Sequence, residues 1–172
     1  MRKFLLIFIF LLTQFNLVNA NINAAFIDME KVLSSSKPGS SLLKQLNLIN
    51  DKSLKKFQKD EKILKENEKK LISQKNILSN EEFQSNVNML RLEINKYNEN
   101  KKKIISDFNK LKINNTNKLL KMINSILIQY SDKKSISMIF QKKNLIIGNT
   151  KLDITDEIIK IVNSDISEFK IE

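Results

Sequence analysis

Residues 41–78 read SLLKQLNLINDKSLKKFQKDEKILKENEKKLISQKNIL, and the seven-residue ladder Leu43, Asn50, Phe57, Leu64, Leu71, Leu78 is apolar at all but one rung. A second row starts at Leu46 and Leu54 and fades outward into Glu61, Glu68 and Lys75. A period of seven held over this length predicts a helix wrapped along a partner. Residues 83–127 repeat the pattern. Phe83, Leu90, Tyr97, Ile104 and Leu111 form one row; Val87, Ile94 and Phe108 form another, interrupted by Lys101. The second helix continues through Leu119, Met122, Ile123, Ile126 and Leu127. Between the two, Ser79-Asn80-Glu81-Glu82 reads as a turn. Ser79 or Asn80 can accept free backbone N–H groups, and the glutamates suit the positive end of a new helix. So short a connection folds the helices back on each other as an antiparallel hairpin. Arms of about 38 and 48 residues would reach ~55–70 Å. A domain this small cannot enclose that length, so the hairpin must project. Its seam is two helices wide and is broken by Asn50, Lys75 and Lys101, which makes it thinly stabilised and bendable toward the tip.

The flanks are built differently. Lys37-Pro38-Gly39-Ser40 is the strongest breaker in the chain, and no Pro or Gly follows for 108 residues, from Ser40 to Ile147. Ser40 or Ser41 is then the expected cap of the first long helix. Upstream, Ala24 to Asp28 reads as a strand, with Asp28 as the cap of a short helical segment over Met29 to Ser35. Downstream, Ser135 to Gln141 alternates, with Ile136, Met138 and Phe140 on one face. Lys142-Lys143-Asn144 turns the chain, and Leu145-Ile146-Ile147 is a second strand ended by Gly148-Asn149, so a β-hairpin is expected here. Thr155 is the expected cap of a last helix, with Asp156 and Glu157 in its first turn and Ile158, Ile159 and Val162 on its apolar face. The fold class is therefore α+β and mostly helical. Residues 21–40 and 131–172 make a small β-rich oligomerisation body, and residues 41–130 make the arm. A body of 62 residues is marginal alone. Burial of strand or helix surface against identical copies is the physical remedy, and a homo-oligomer follows.

The first twenty residues carry an export pattern. Arg2 and Lys3 precede the nine apolar residues Phe4 to Leu12, and Val18-Asn19-Ala20 supplies compact residues before a cleavage site. Nine residues rise only ~14 Å as a helix, against roughly 30 Å of hydrocarbon. A signal peptide over residues 1–20, cleaved after Ala20, is expected rather than a stable membrane insertion.

The chain has neither Cys nor His. That removes Cys–His and Ser–His nucleophile systems and zinc sites built on thiolate or imidazole. Gly39 and Gly148 are the two glycines, and neither lies in a phosphate-cradling loop. Carboxylate pairs such as Asp60-Glu61 and Glu81-Glu82 fall on solvated helical stretches. No catalytic, cofactor-binding or metal-binding constellation results. The formal charge is +11, with 30 basic and 19 acidic residues. Without Arg2 and Lys3 the excess falls to nine, all of it in Ser41 to Tyr130, which carries nineteen basic and ten acidic residues. Coding drift toward lysine would raise charge along the whole chain, whereas both flanks are neutral.

The residues Phe26-Ile27-Asp28 leading into Glu30-Lys31-Val32-Leu33, then Pro38-Gly39, the long charged hairpin, and Asp153-Ile154-Thr155 before an apolar helix resemble the Skp (OmpH-like) periplasmic chaperones. The resemblance spans the mature chain and is most specific in FIDMEKVL (26–33) and DITDEIIKIVN (153–163). It implies a trimer with three helical tentacles around a cavity. It also implies that unfolded outer-membrane β-barrel proteins are held there without ATP, so the chain is no enzyme. The signature residues Asp28 and Thr155 read as structural caps. Client contact is expected to be diffuse, through basic arm residues including Lys55, Lys62, Lys101, Lys102 and Lys103. The same charge would attract anionic lipid or lipopolysaccharide. A nucleic-acid binder is the first rival, given the basic helices. The export pattern and the lack of interleaved aromatics oppose it. A structural or adaptor coiled coil of the cell envelope is the second.

Overall fold

The computed structural model describes residues 23–172, so the expected signal peptide and its cleavage after Ala20 lie outside the described residues. Strand β1 (Ala24–Ile27) leads into helix α1 (Met29–Ser35). The Asp28 carboxylate accepts the Lys31 N–H at 2.9 Å, satisfying one of the free donors of the first turn. Helix α1 ends at Ser36, whose own N–H closes onto the Val32 carbonyl while its hydroxyl accepts the Gly39 N–H at 3.2 Å. Ser36 thereby ends one helix and caps the next, α2 (Lys37–Ser73). The expected cap at Ser40 or Ser41 is corrected: Pro38 and Gly39 lie inside the first turn. Proline is tolerated there because its missing N–H would have had no helical acceptor. Gly39 is required by contact. A Cβ at that position would stand 1.8 Å from the Leu33 carbonyl oxygen.

Helix α3 (Asn80–Lys134) starts at Ser79, which accepts the Glu82 N–H while the Glu82 carboxylate accepts the Ser79 N–H in return. The 37 residues of α2 and the 55 of α3 extend ~55 and ~80 Å at 1.5 Å each. The helices lie antiparallel, joined by a turn over residues 74–79, and the expected hairpin is present. Strand β2 (Met138–Gln141) follows, then two single 3-10 turns, then helix α4 (Thr155–Asp165).

The sheet differs from expectation. β2 pairs with β1 in parallel, Ala24 opposite Met138 and Ile27 opposite Gln141. Leu145 to Ile147 forms no strand, which corrects the β-hairpin. Lys142–Asn144 is a 3-10 turn, and the segment after it lies over the Phe26 ring, where Gly148 approaches so closely that a Cβ would meet the ring edge at 2.8 Å. Ile146 and Ile147 consequently face solvent. Parallel strands need a long crossover. Here the whole arm is that crossover.

One apolar cluster unites the base. Val32 of α1, Leu42 and Leu46 of α2, Leu119 and Ile123 of α3, and Ile158 and Val162 of α4 are all buried in it with Ile27. Tyr130 of α3 donates its hydroxyl proton to Glu157 of α4, and burial, then that carboxylate, pushes the phenol up to about 12. Thr155 is also reassigned. It is the first residue of α4, not its cap; Asp153 accepts the Thr155 N–H at 3.0 Å. The Thr155 hydroxyl instead accepts the Asp28 N–H at 2.9 Å, tying the start of α1 to the start of α4. Beyond α4, Ile166 and Phe169 are buried across the roots of α2 and α3.

Gly39→Ala forces a side chain onto backbone that cannot swing aside. We expect it to cost about 1–3 kcal/mol of unfolding free energy. Urea titration followed by circular dichroism checks this; an unchanged midpoint would remove the close approach from the account.

Candidate functional site

Among the described residues, the arm beyond the base is a seam of two helices with no third element on either flank. Asn50, Leu64 and Leu71 of α2 and Leu78 of the turn are half-buried and Phe57 is buried, as the seven-residue ladder predicts. Phe83, Leu90, Tyr97, Ile104 and Leu111 of α3 face them half-buried. The rows shift near the base. Leu42 and Leu46 enter the core, while Leu43 and Leu54 are 42% and 48% exposed. Leu43 and Leu54 thus depart from the expected rows, because the body rather than α3 decides which face of α2 is covered at its root.

Midway along, four residues form one cluster. Tyr97 donates its hydroxyl proton to Glu61 Oε1 at 2.6 Å, and Lys101 Nζ donates to the same oxygen at 2.7 Å. The ammonium also lies 5.5 Å from the ring centroids of Phe57 and Tyr97. The Lys101 contact, then the Tyr97 hydroxyl, hold the Glu61 carboxyl below its usual range. The Glu61 carboxylate holds the Lys101 ammonium above its usual range. Burial, then Glu61, raises the Tyr97 phenol. Lys101 differs from the other candidates for client contact in that its charge is paired across the seam. The pairing had a trace in the sequence. Glu61 and Lys101 each interrupt an apolar row, and opposite charges that break facing rows are candidates to meet.

The other candidate lysines do not converge. Lys55, Lys102 and Lys103 are exposed, and Lys62 is exposed with a loose contact to Glu66 at 3.9 Å. They are spread over both helices as an unfocused cationic surface. Between them, large apolar side chains are exposed, including Ile63, Ile72, Met89, Leu92 and Ile105, with Ile77 80% exposed at the tip. A shallow cleft of about 240 Å³ opens beside the central cluster, with Phe57, Leu64 and Ile104 in its lining and Lys56 and Lys96 beside them.

A larger groove of about 930 Å³ lies on the body, lined by Met29, Leu33, Leu127, Ile136, Met138 and Phe140 among others. The alternation of residues 136–140 marked these side chains as one face, but not that the face would stand open. Among the described residues no group of His, Cys, Asp or Glu is arranged to hold a metal ion, and no helix is long and apolar enough to cross a membrane.

Two contacts were missed by sequence reasoning. Gln45 and Asn115 each hold main chain of the last residues, Gln45 at Phe169 and Ile171, Asn115 at Glu172. Asn115 left a signal: it sits four residues after Leu111 and four before Leu119, in an apolar row where a buried amide needs a partner.

Residues 23–162 match a protein family described as "Outer membrane protein (OmpH-like)". The crystal structure of a protein from Caulobacter crescentus CB15 described as a "putative outer membrane chaperone (OmpH-like)" has a similar fold, with a TM-score of 0.73 at 15% identity. The likeness covers 89% of this chain and 90% of that one. No curated protein matches by sequence.

Because its folded carboxyl titrates below the ordinary glutamate value, Glu61 contributes stability above that value and loses it as pH falls through the lowered one. The middle of the arm should therefore hold at neutral pH and loosen only below about pH 4. Hydrogen exchange around Tyr97 reads this directly. Glu61→Gln should show the loosened exchange already at neutral pH; an acid-independent profile in both proteins would dismiss the cluster as a support.

Proposed function

Since the chain belongs to the OmpH-like outer membrane protein family, we propose that it is a periplasmic, ATP-independent holdase that keeps unfolded outer-membrane β-barrel proteins from aggregating. In this reading residues 41–130 are the gripping arm, and residues 21–40 and 131–172 are the body that joins three copies. The chain acts by binding alone and is not an enzyme.

The observation that carries the reading is the surface of the arm. Ile63, Ile72, Ile77, Met89 and Leu92 are exposed among lysines on a lever that the body does not cover. Exposed apolar area of this kind is costly for a solitary soluble protein and marks a surface that binds. A barrel strand before insertion offers alternating apolar side chains and unpaired main chain. Many weak apolar contacts hold such a chain without selecting its sequence. The cationic surface adds longer-range attraction for acidic clients, and for anionic lipid or lipopolysaccharide, and is screened by salt. Release needs no nucleotide if each contact is weak and the folded client no longer presents it.

Assembly as a trimer is supported by the body. β2 has one strand neighbour among the described residues, and its Met138 and Phe140, with Ile146 and Ile147 after it in the body, are exposed. An exposed apolar edge of this kind calls for a partner strand or a cover.

The test is dilution of a urea-unfolded outer-membrane barrel into buffer with and without the protein. Suppressed light scattering at stoichiometric protein is expected, and unchanged scattering overturns the reading in favour of an adaptor coiled coil. Lys→Gln at positions 55, 62, 102 and 103 together should slow capture about tenfold at low salt and little at high salt. Lys101→Gln should instead loosen the arm, with the exchange signature of Glu61→Gln. Analytical ultracentrifugation should show three copies; a monomer at micromolar concentration counts against the assembled cavity.

A further inference from the structure

Residues 168–172 alternate exposed and covered as a strand does, but no strand lies beside them among the described residues. Helix α4 gives way to extended backbone at Ile166. Phe169 is buried and Ile171 half-buried, while Lys170 and Glu172 between and beyond them are exposed. The segment's main chain is held by side chains of the two long helices. From α2, Gln45 Nε2 donates to the Phe169 carbonyl at 2.6 Å, and Gln45 Oε1 accepts the Ile171 N–H at 3.2 Å. Ser41 donates its hydroxyl proton to the same Phe169 carbonyl at 3.0 Å. From α3, Asn115 Oδ1 accepts the Glu172 N–H at 3.2 Å, and Asn115 Nδ2 donates to the Glu172 carbonyl at 3.3 Å. Lys118 pairs with the Glu172 side chain at 2.6 Å.

Each amide side chain thus does what a neighbouring strand does: it offers one donor and one acceptor to a peptide main chain. Such contacts ignore side-chain identity. Selection comes from the apolar space that receives Phe169 and Ile171, two residues apart. The residues that point away are polar, as in any half-buried strand.

We propose that this cleft at the roots of α2 and α3 is a binding site for an extended peptide with apolar residues at alternate positions, filled here by the chain's own Ile166–Glu172. The proposal rests on the holdase reading for its ligand, an unfolded barrel strand, which presents the same alternation and the same unpaired main chain. Exchange between the two is feasible by mass action. A tethered segment competes at an effective concentration in the millimolar range, but a client already gripped by the arms is confined to a comparable one. Only the segment's first residue, Ile166, donates to main chain, at the Val162 carbonyl; removal of the segment takes Ile166 and Phe169 from the core cluster and leaves the Thr155–Asp165 helix its contacts through Ile158 and Val162. The segment also lies wholly beyond the family match, which ends at residue 162.

The experiment uses a chain ending at Asp165 and a fluorescent peptide of sequence ISEFKIE, read by anisotropy. The shortened chain should bind the peptide, and the full chain should bind it at least about tenfold more weakly because the tethered copy competes. Phe→Ala in the peptide, or Gln45→Ala in the shortened chain, should each weaken binding about tenfold. An alternating peptide from a barrel strand should displace ISEFKIE, and a scrambled one should not. A shortened chain that keeps its helical circular dichroism yet ignores the peptide overturns the proposal. So does one that unfolds and is not restored by added peptide. As a second measurement, Gln45→Ala with Asn115→Ala in the full chain should expose the Ile171 and Glu172 amides to exchange while α4 stays protected. Loss of protection in both together would make the segment an inseparable part of the core and refute it. Suppressed aggregation without peptide binding sinks the cleft alone. Peptide binding without suppressed aggregation keeps the cleft and sinks the holdase reading.

Discussion

Two helices of ~55 and ~80 Å are anchored by a single apolar cluster at their roots, and every other feature depends on that anchor. Leu42 and Leu46 from the outgoing helix meet Leu119 and Ile123 from the returning one, and Val32, Ile158 and Val162 close around them. Burial of side chains such as these contributes about 1.5–3 kcal/mol each, so a handful of residues must fix the direction of a long lever. The polar ties around the cluster make sense in that light. Thr155 joins the starts of α1 and α4 through Asp28, and Tyr130 joins α3 to α4 through Glu157. No buried side-chain polar atom among the described residues lacks a partner. A core this small cannot also carry the desolvation cost of an unpaired group.

The arm obeys the opposite economy. Away from the base, each helix has one neighbour, so only one narrow row on each can be covered. The remaining apolar residues are left in water, where they raise the free energy of the isolated protein and make contact with another chain favourable. Stability and binding therefore draw on the same residue type at different places. At the base apolar side chains are covered and define the fold, and on the arm they are uncovered and define the surface. Charge divides similarly. Lys101 is turned inward to Glu61 and supports the seam, whereas Lys55, Lys62, Lys102 and Lys103 remain in solvent.

The chain belongs to the OmpH-like outer membrane protein family, and the crystal structure from Caulobacter crescentus shares its fold. At 15% identity the fold persists although few side chains are shared. That tolerance is expected of an arm whose requirement is a period rather than a set of residues.

By itself the sequence determined the hairpin, the start of its second helix at Ser79 and the apolar rows away from the base, because these follow from periodicity and capping, which act between near neighbours along the chain; the turn itself falls at residues 74–79, ahead of the expected Ser79–Glu82. Ser79 with Glu82 was readable for that reason. It could not determine the partner of β2. Local alternation favoured Leu145–Ile147, yet the returning arm delivers β2 beside β1, and a parallel pair formed there covers Phe26 and Ile27 in the base. The exchange of Ser40 or Ser41 for Ser36 as cap, and the turning of the Thr155 hydroxyl from capping to the Asp28 N–H, have the same origin: several residues could cap, and the approach of Gly39 to Leu33 and of Asp28 to Thr155 selected among them. Lys101 looked like a free cation because its partner lies forty residues away on the other helix. Gln45 and Asn115 carried meaning only once the last residues were laid across them. What distant parts of the chain do to each other is settled by where the folded backbone brings them, and no nearest-neighbour rule contains that information.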